Sequence, residues 1–372
     1  MASGFSLKDQ LFNQEKIRYL ADLFSSADAS FDALAFEEEV MSKLLGLELK
    51  ERMAWIAEVL GRNLPETLPE LAPILLKALP EPLDPGKRDD DFGDFIFAPL
   101  GELVVARGLP DHMPLALDLI EEITQRFSME WAIRAFFHVD KAQTLKRMEA
   151  WAEHPNYHVR RLVSEGSRPR LPWGTSIPLD VAEALPLLDR LYGDPTRYVT
   201  RSVANHLNDV SKKDPDLVLK RLRLWADERR QEGKELDWMT AHACRGLIKD
   251  GHAGALLLLG YDPSAQVEAK MTLKSKNVRI GEYLEFEVQL NASERTPVIV
   301  DYIIEFQRSA GKSSQKVYKL KKAIIQRKMF ALEKRHLLKG DATTFKLHPG
   351  HHKIELLVNG VVRAESAFEL LA

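Results

Sequence analysis

Acidic and basic side chains recur at four-residue spacing in three segments of the middle of this chain. The segments carry Glu130, Arg134 and His138, then Arg161 and Glu165, and then Arg201, Asn205 and Asp209. On α-helices this spacing places the side chains on one face, and stacked helices would bring the three faces into one groove. Carboxylates in such a groove can stabilise a developing positive charge or act on a water molecule as a general base.

The same spacing also has a purely structural interpretation. Arginine and glutamate four residues apart are common on solvated helix faces, and an asparagine can cap or bridge turns. When Arg161 is aligned with Arg201, Glu165 falls on the position of Asn205. Taken alone, the spacing favours the structural interpretation over the catalytic one.

The segment that begins at Glu165 favours a functional interpretation. It reads EGSRPRLPWG over residues 165–174. Its prolines and glycines predict an abrupt helix end and a loop that holds Arg168, Arg170 and Trp173. Exposed arginines beside an indole suit a nucleic-acid backbone and an aromatic wedge. A tryptophan that plugs a loop between two helices is the structural alternative.

Helices joined by short turns are predicted from the N-terminus to about residue 260. The pattern Tyr198–Arg201, LKRL and then Trp225-Ala226 resembles an earlier one that begins at Trp131. Arg161 and Arg201 are 40 residues apart, and Arg201 and Arg245 are 44 apart. A period of roughly 40–47 residues is typical of HEAT-type helical repeats, which stack into a solenoid with a concave binding surface.

After residue 261 the apolar period changes to two, which predicts strands. Apolar residues alternate with polar ones over residues 284–290, 298–306 and 354–358, and Asn359-Gly360 is a hairpin-turn signal. We therefore expect a mostly α chain: a HEAT-like solenoid over residues 1–261, followed by a small all-β, immunoglobulin-like sandwich over residues 262–372.

Charge is distributed unevenly along the chain. The formal net charge is −3, but residues 1–125 carry −13, residues 126–261 carry +4 and residues 262–372 carry +6. A nucleic-acid partner would have to meet the middle and the end of the chain. In the predicted sandwich one stretch is rich in basic residues: Lys316, Lys319, Lys321, Lys322, Arg327 and Lys328. This stretch either closes over a nucleic-acid partner or blocks strand addition at a sheet edge.

Other features exclude several classes of protein. The single cysteine, Cys244, excludes a disulfide framework and a cysteine zinc cluster, and its apolar neighbours predict a buried thiol. The N-terminus has no signal-peptide pattern and no apolar run could span a bilayer, so we expect a cytoplasmic protein. His348, His351 and His352 are expected in an exposed hairpin. We expect no metal, since neither a cysteine nor paired carboxylates accompany these histidines, and no cofactor, since no nucleotide or phosphate-loop motif is present.

Residues 159–173, VRRLVSEGSRPRLPW, resemble the signature of the AlkC branch of the AlkC/AlkD DNA glycosylases. Supporting similarities are EWAIR at 130–134, VANHLNDVSK at 203–212, and GHA and LGY between 251 and 261. The segment PGHHKIEL at 349–356 resembles the immunoglobulin-like extension of part of this branch. The resemblance covers nearly the whole chain, with one departure: Ala135 stands where the family pattern leads us to expect proline.

The resemblance implies excision of cationic alkylated bases, such as 3-methyladenine and 3-methylcytosine, without rotation of the base into a pocket. Glu165 and Asp209 are the first candidates for the catalytic carboxylates, and Glu130 is the next. The candidate DNA-binding residues are Arg161, Arg168, Arg170, Trp173, Arg201, Asn205, Asn208, Lys212, Lys316 and Lys319. The expected partner is double-stranded DNA that contains alkylated bases. We expect a monomer, associated with a bacterial nucleoid while it acts.

Two other functions remain open from the sequence. A HEAT-like module could bind damaged DNA or a protein partner without catalysis, and a pure interaction scaffold is a third possibility. Release of free base from methylated DNA would separate the glycosylase from both alternatives.

Overall fold

The computed structural model describes residues 6–89, 91–308, 313–326, 329–340 and 346–372. The first helices are α1 (Leu7–Leu11), α2 (Gln14–Ala27), α3 (Ala33–Leu44), α4 (Leu49–Asn63), α5 (Leu68–Ala78), α6 (Ala98–Gly108) and α7 (Met113–Thr124). They are followed by α8 (Ile133–Val139), α9 (Lys141–Trp151), α10 (Tyr157–Gly166), α11 (Val181–Leu191), α12 (Arg197–Val210), α13 (Pro215–Glu228), α14 (Gly233–Ala243), α15 (Arg245–Lys249) and α16 (Ala253–Leu258). A short 3₁₀ turn, Phe95–Phe97, precedes α6.

The strands all follow the helices. They are β1 (Val267–Leu273), β2 (Asn277–Arg279), β3 (Tyr283–Ala292), β4 (Thr296–Gln307), β5 (Ser313–Ile325), β6 (Phe330–Leu337), β7 (Gly350–Val358) and β8 (Val361–Leu371). The predicted order, helical repeats and then an all-β sandwich, is therefore confirmed. None of the helices described is both long enough and apolar enough to cross a bilayer.

Helices α10 and α12 are neighbours, as the 40-residue spacing of Arg161 and Arg201 predicts, and α14 packs against α12. Arg245, the next arginine of the predicted repeat, begins α15 and does not lie on α14. The hydroxyls of Ser164 and Ser202 lie 3.0 Å apart, and Nδ1 of buried His206 is 3.1 Å from the carbonyl oxygen of Ser164. α10 begins where the side chain of Asn156 accepts a hydrogen bond from the backbone of His158, which satisfies one of the open amides at a helix start. Small side chains between α10 and α12 thus allow the two helices to approach closely.

Glu130 does not lie on a helix, contrary to the sequence-based expectation for the first segment. Residues 130–132 form a turn, and α8 begins only at Ile133. The amides of Arg134 and Ala135 bond to carbonyls three residues back, which is the tighter 3₁₀ pattern. The position of the Glu130 side chain is consequently determined by this turn and not by a helical face of α8.

The chain divides into two compact units. One contains Met1–Lys213 and Leu224–Ala243, and the other contains Asp214–Arg223 and Cys244–Ala372. In the second unit, α16 packs against the turn between β7 and β8. The proposed boundary between residues 261 and 262 remains a prediction.

The sandwich consists of a three-stranded sheet, β1-β3-β6, and a five-stranded sheet, β2-β8-β7-β4-β5. Apolar side chains of β3, β4 and β7 alternate towards a shared core that includes Phe286, Tyr302 and Leu356. β5 carries the lysine stretch and forms one edge of the five-stranded sheet. Arg327 and Lys328, the last two basic residues of that stretch, lie outside the described residues.

The hairpin predicted at Asn359-Gly360 is confirmed. Val358 pairs with Val361, and both turn residues have positive φ, 51° and 77°, as a type I′ turn requires. The buried side chain of Asn359 accepts from the amide of Ile299 and donates to the carbonyl of Asp262, each at 2.9 Å. A side chain on Gly360 would come within 2.7 Å of Leu256 in α16, so glycine is required there.

Candidate functional site

Glu165 lies near the end of α10 and is almost completely buried, with 4% of its surface exposed. Its Oε2 accepts a hydrogen bond of 2.6 Å from the hydroxyl of Ser202 on α12, and Arg161 lies 3.4 Å away. Its Oε1 accepts a hydrogen bond from Arg168. A buried carboxylate is stable only when charges and hydrogen bonds replace water, and these three partners do so.

Asp209 is equally buried at the end of α12, and the same arginine holds it. Arg168 donates to Oδ2 of Asp209 from Nε at 3.0 Å and from a terminal nitrogen at 2.8 Å. Lys212, which is exposed, donates to Oδ1 at 3.1 Å. Arg168 therefore bridges the two carboxylates that were predicted first, Glu165 and Asp209, from the loop that follows α10.

Glu130, the third predicted carboxylate, joins the same cluster through Arg161. One terminal nitrogen of Arg161 donates to Oε2 of Glu130 and to the hydroxyl of Ser128, and its guanidinium lies 4.9 Å from the centre of the Tyr198 ring. Acidic and basic groups thus alternate along a single cluster: Glu130, Arg161, Glu165, Arg168, Asp209 and Lys212. We call this set the carboxylate cluster.

Burial and charge act in opposite directions on these groups. Burial by itself would raise the pKa of Glu165, but the charges of Arg161 and Arg168 outweigh it and hold the pKa below the ordinary value of 4.5. Burial would lower the pKa of Arg161, whereas the charges of Glu130 and Glu165 raise it. Glu165 is therefore ionised at neutral pH, as a group that stabilises a cation must be.

Arg134 has a structural position that the sequence did not reveal. It is 1% exposed, and its guanidinium donates to the carbonyls of Gly166 and Arg168 at 3.0 Å and to that of Thr175 at 2.5 Å. It therefore fixes both ends of the loop after α10. His138 assists through a contact of 2.9 Å between Nε2 and the carbonyl of Ser176.

Trp173 is displayed by this loop. Its side chain is 56% exposed, and its ring centre lies 6.2 Å from that of Trp131. Lys50 donates to the carbonyl of Trp173, and the indole nitrogen of Trp131 donates to the carbonyl of Pro172 at 3.1 Å. The predicted display of an indole on a loop is present, while Lys50 is a contact that the sequence did not indicate.

Four other predicted DNA-binding residues are not members of the carboxylate cluster. Arg170 is exposed on the loop, and Arg201 pairs with Asp89 of the acidic segment between α5 and α6. Asn205 faces α14, where its oxygen lies 2.9 Å from Nε2 of His242, so it does not share the surroundings of Glu165. Asn208 is buried near the end of α12.

Lys316 and Lys319 lie on β5 of the sandwich. Lys319 is exposed and pairs in register with Asp301 of β4, and Lys316 is half-buried opposite Ile304. β5 is an edge strand, which agrees with the interpretation that these lysines block the addition of another strand. Their role in DNA binding remains a prediction.

Three comparisons place the chain among known proteins. Residues 267–372 match the family model for the C-terminal Ig-like domain of uncharacterised protein YhaZ. The chain is 37% identical over 263 residues to YhaZ of Bacillus subtilis (strain 168), which covers 70% of this chain and 72% of the relative. The structure matches that of the alkylpurine DNA glycosylase AlkC of Pseudomonas fluorescens, bound to DNA with an abasic site analogue.

The structural match extends over both parts of the chain. Its TM-score is 0.86 at 31% sequence identity, and it covers 99% of this chain and 100% of the AlkC chain. A likeness of this extent includes the helical repeats, the loop after α10 and the sandwich. The chain therefore belongs to the AlkC family of the AlkC/AlkD DNA alkylation-repair superfamily, within the group that carries a C-terminal immunoglobulin-like domain.

Proposed function

We propose that this protein is a DNA glycosylase that hydrolyses the N-glycosidic bond of cationic alkylated bases in double-stranded DNA. The observation that carries the proposal is the pair of buried carboxylates, Glu165 and Asp209, bridged by Arg168. Similarity to AlkC supports a role in DNA alkylation repair, and the carboxylate oxygens of Glu165 and Asp209 can stabilise the positive charge that develops on the sugar in such a reaction.

The chemistry follows from the charge of the substrate. An alkylated base that carries a positive charge is a good leaving group, and the electron pair of the C1′–N bond moves onto it as the bond breaks. The sugar then becomes oxocarbenium-like, which nearby carboxylates stabilise. Water adds to C1′ and gives its proton to a carboxylate. We assign these roles to Glu165 and Asp209, with Glu130 holding Arg161 in place.

DNA would be held by cationic groups around the cluster. Arg170 and Lys212 are exposed and suited to phosphate contacts. The other residues proposed to contact DNA from the helical repeats are Arg161, Arg168, Arg201, Asn205 and Asn208. Trp173 would rest against the deoxyribose or the opened base stack. We further propose that the lesion is reached without rotation of the base into a pocket, and that the lysines of the sandwich close over the duplex.

Incubation with methylated duplex DNA tests this function. The proposal predicts release of 3-methyladenine or 3-methylcytosine, detected by mass spectrometry, together with abasic sites that alkali converts to strand breaks. Binding to methylated DNA without release of any base would instead identify a non-catalytic module.

A further inference from the structure

A cavity of about 430 Å³ lies among α4, α6, α8 and the loop after α10. This volume is within the roughly 300–1,000 Å³ of pockets that enclose small organic ligands. Its walls are largely apolar, with Met53, Val105 and Ala135 beside the indoles of Trp131 and Trp173. Polar groups are contributed by residues that include Lys50 and Glu102.

Trp173 is held at this cavity in an unfavourable backbone conformation. Its φ is 60°, in the left-handed region, which costs a residue other than glycine roughly 1–2 kcal/mol. The hydrogen bond from Lys50 fixes its carbonyl, and Trp131 fixes the carbonyl of the residue before it. Residues that neighbouring contacts hold in such conformations are concentrated at binding and catalytic sites. The exposed indole is thus positioned by the surrounding structure and not by its own burial.

Arg134 contacts both the lining of the cavity and the loop that carries Arg168. A Cβ atom on Gly174, which lines the cavity, would lie 3.2 Å from Cδ of Arg134. The guanidinium of Arg134 in turn donates to the carbonyl of Arg168, whose own side chain binds Glu165. In addition, Trp131 directly follows Glu130 in the chain. The cavity is therefore a near neighbour of the proposed reaction centre.

We propose that this cavity receives the excised base, a neutral planar heterocycle, after the bond to the sugar has broken. The inference rests on the proposed function. A base that is cationic in DNA takes the electron pair of the C1′–N bond as it leaves, and so becomes neutral. Apolar walls disfavour a charged group and accept a neutral one. The indoles offer faces for stacking, and the Glu102 carboxylate can accept a hydrogen bond from an exocyclic amine.

Ala135→Leu tests the proposal because it fills the cavity and leaves the carboxylate cluster intact. Ala106→Leu is the matched control, since Ala106 lines a second groove of about 420 Å³ beside Glu58 and Arg62, and Glu102 is the one lining residue that this groove shares with the cavity. Two quantities are measured for each protein: saturation-transfer NMR signals of free 3-methyladenine, and its inhibition constant in the excision reaction. For wild type and Ala106→Leu we expect transfer and inhibition. Ala135→Leu should raise the inhibition constant at least fivefold, with single-turnover excision within twofold of wild type.

The results separate this inference from the proposed function. Normal excision, with neither saturation transfer nor inhibition in wild type, or with equal inhibition of wild type and Ala135→Leu, would overturn the cavity assignment alone. Absence of excision would overturn the proposed function, whereas the NMR signals still report whether the base binds. If Ala135→Leu melts at a lower temperature than wild type, Val105→Met fills the cavity from α6 and must give the same loss of inhibition.

Discussion

Arg168 donates two hydrogen bonds to a single oxygen of Asp209, at 3.0 and 2.8 Å, across 41 residues of sequence. The same guanidinium also binds Glu165, three residues earlier in the chain. All three side chains are less than a tenth exposed. This arginine therefore links the end of α10 to the end of α12 and holds the two carboxylates in position.

Removing Arg168 should reduce stability as well as excision. Arg168→Ala leaves two buried carboxylates that have lost a shared partner, and breaking a buried ion pair in this way costs about 3–5 kcal/mol. We expect a lower midpoint in urea denaturation and little or no base release. A variant with wild-type stability would contradict the assigned position of this side chain.

Arg170, two residues later, should behave differently because it is exposed. Arg170→Ala should retain the melting temperature of the wild type. Binding to damaged and undamaged duplexes should weaken alike, and the slope of log K against log salt should fall by roughly one unit, as expected when one phosphate contact is lost. Loss of lesion preference alone would show that Arg170 reads the base.

The contrast between Arg168 and Arg170 shows which features of the site could be predicted from the sequence and which could not. The motif at residues 165–174 predicted the helix end, the loop and the presence of both arginines. It could not distinguish them, because Arg168 is buried by contacts with α12, 41 residues away, and spacing along one helix carries no information on such partners. Periodicity likewise predicted β3, β4 and β7, and the turn signal at Asn359-Gly360 predicted the hairpin into β8. The turn at Glu130 and the loop-fixing role of Arg134 depend on tertiary contacts.

The interaction of Arg201 with Asp89 predicts coupling between these residues in DNA binding. If a DNA phosphate competes with Asp89 for Arg201, Asp89→Asn should tighten DNA binding several-fold at low salt. The gain should disappear in an Arg201→Gln background, which a double-mutant cycle measures.

Glu153→Gln removes the same charge from an exposed pair with Arg190 and serves as the control. Equal tightening by Asp89→Asn and Glu153→Gln, or a gain that persists without Arg201, would show only a general effect of net charge.

Buried His206 should make stability depend on pH. Burial lowers its pKa to about 4, below the ordinary value of 6.5, so the folded state stays neutral while the unfolded state binds a proton between these values. The contribution of neutral His206 to the free energy of unfolding should therefore be present above pH 6.5 and should be lost as the pH drops towards 4. For one buried histidine the loss between pH 7 and pH 5 is on the order of 1–2 kcal/mol.

His206→Gln measures this contribution. Urea midpoints at pH 7 and pH 5 should differ less for the variant than for wild type. Both pH values lie above 4.5, the ordinary pKa of glutamate, so the lowered pKa of Glu165 contributes little to the difference between them. An identical pH dependence in the two proteins would contradict a neutral, buried His206.

The lysines on β5 should contribute to DNA affinity if the sandwich closes over the duplex. Lys316→Gln with Lys319→Gln should weaken binding to any duplex and reduce the salt slope by roughly one to two units. The control is Lys270→Gln with Lys276→Gln, which removes equal charge from β1 and the turn after it. If both double variants bind equally well, β5 serves only as a protected sheet edge.

Single-turnover excision by Asp209→Asn and Glu165→Gln tests the central claim most directly. Each change removes one negative charge and keeps the shape of the side chain, so circular dichroism and melting must first establish that both variants fold. With methylated duplex DNA in place, we expect base release to fall at least 100-fold in each, because loss of one well-placed charge beside a developing cation costs about 3 kcal/mol or more in the barrier. DNA affinity should remain within a few-fold of wild type. Folded variants that release base at the wild-type rate would contradict the assignment of these two carboxylates to the reaction.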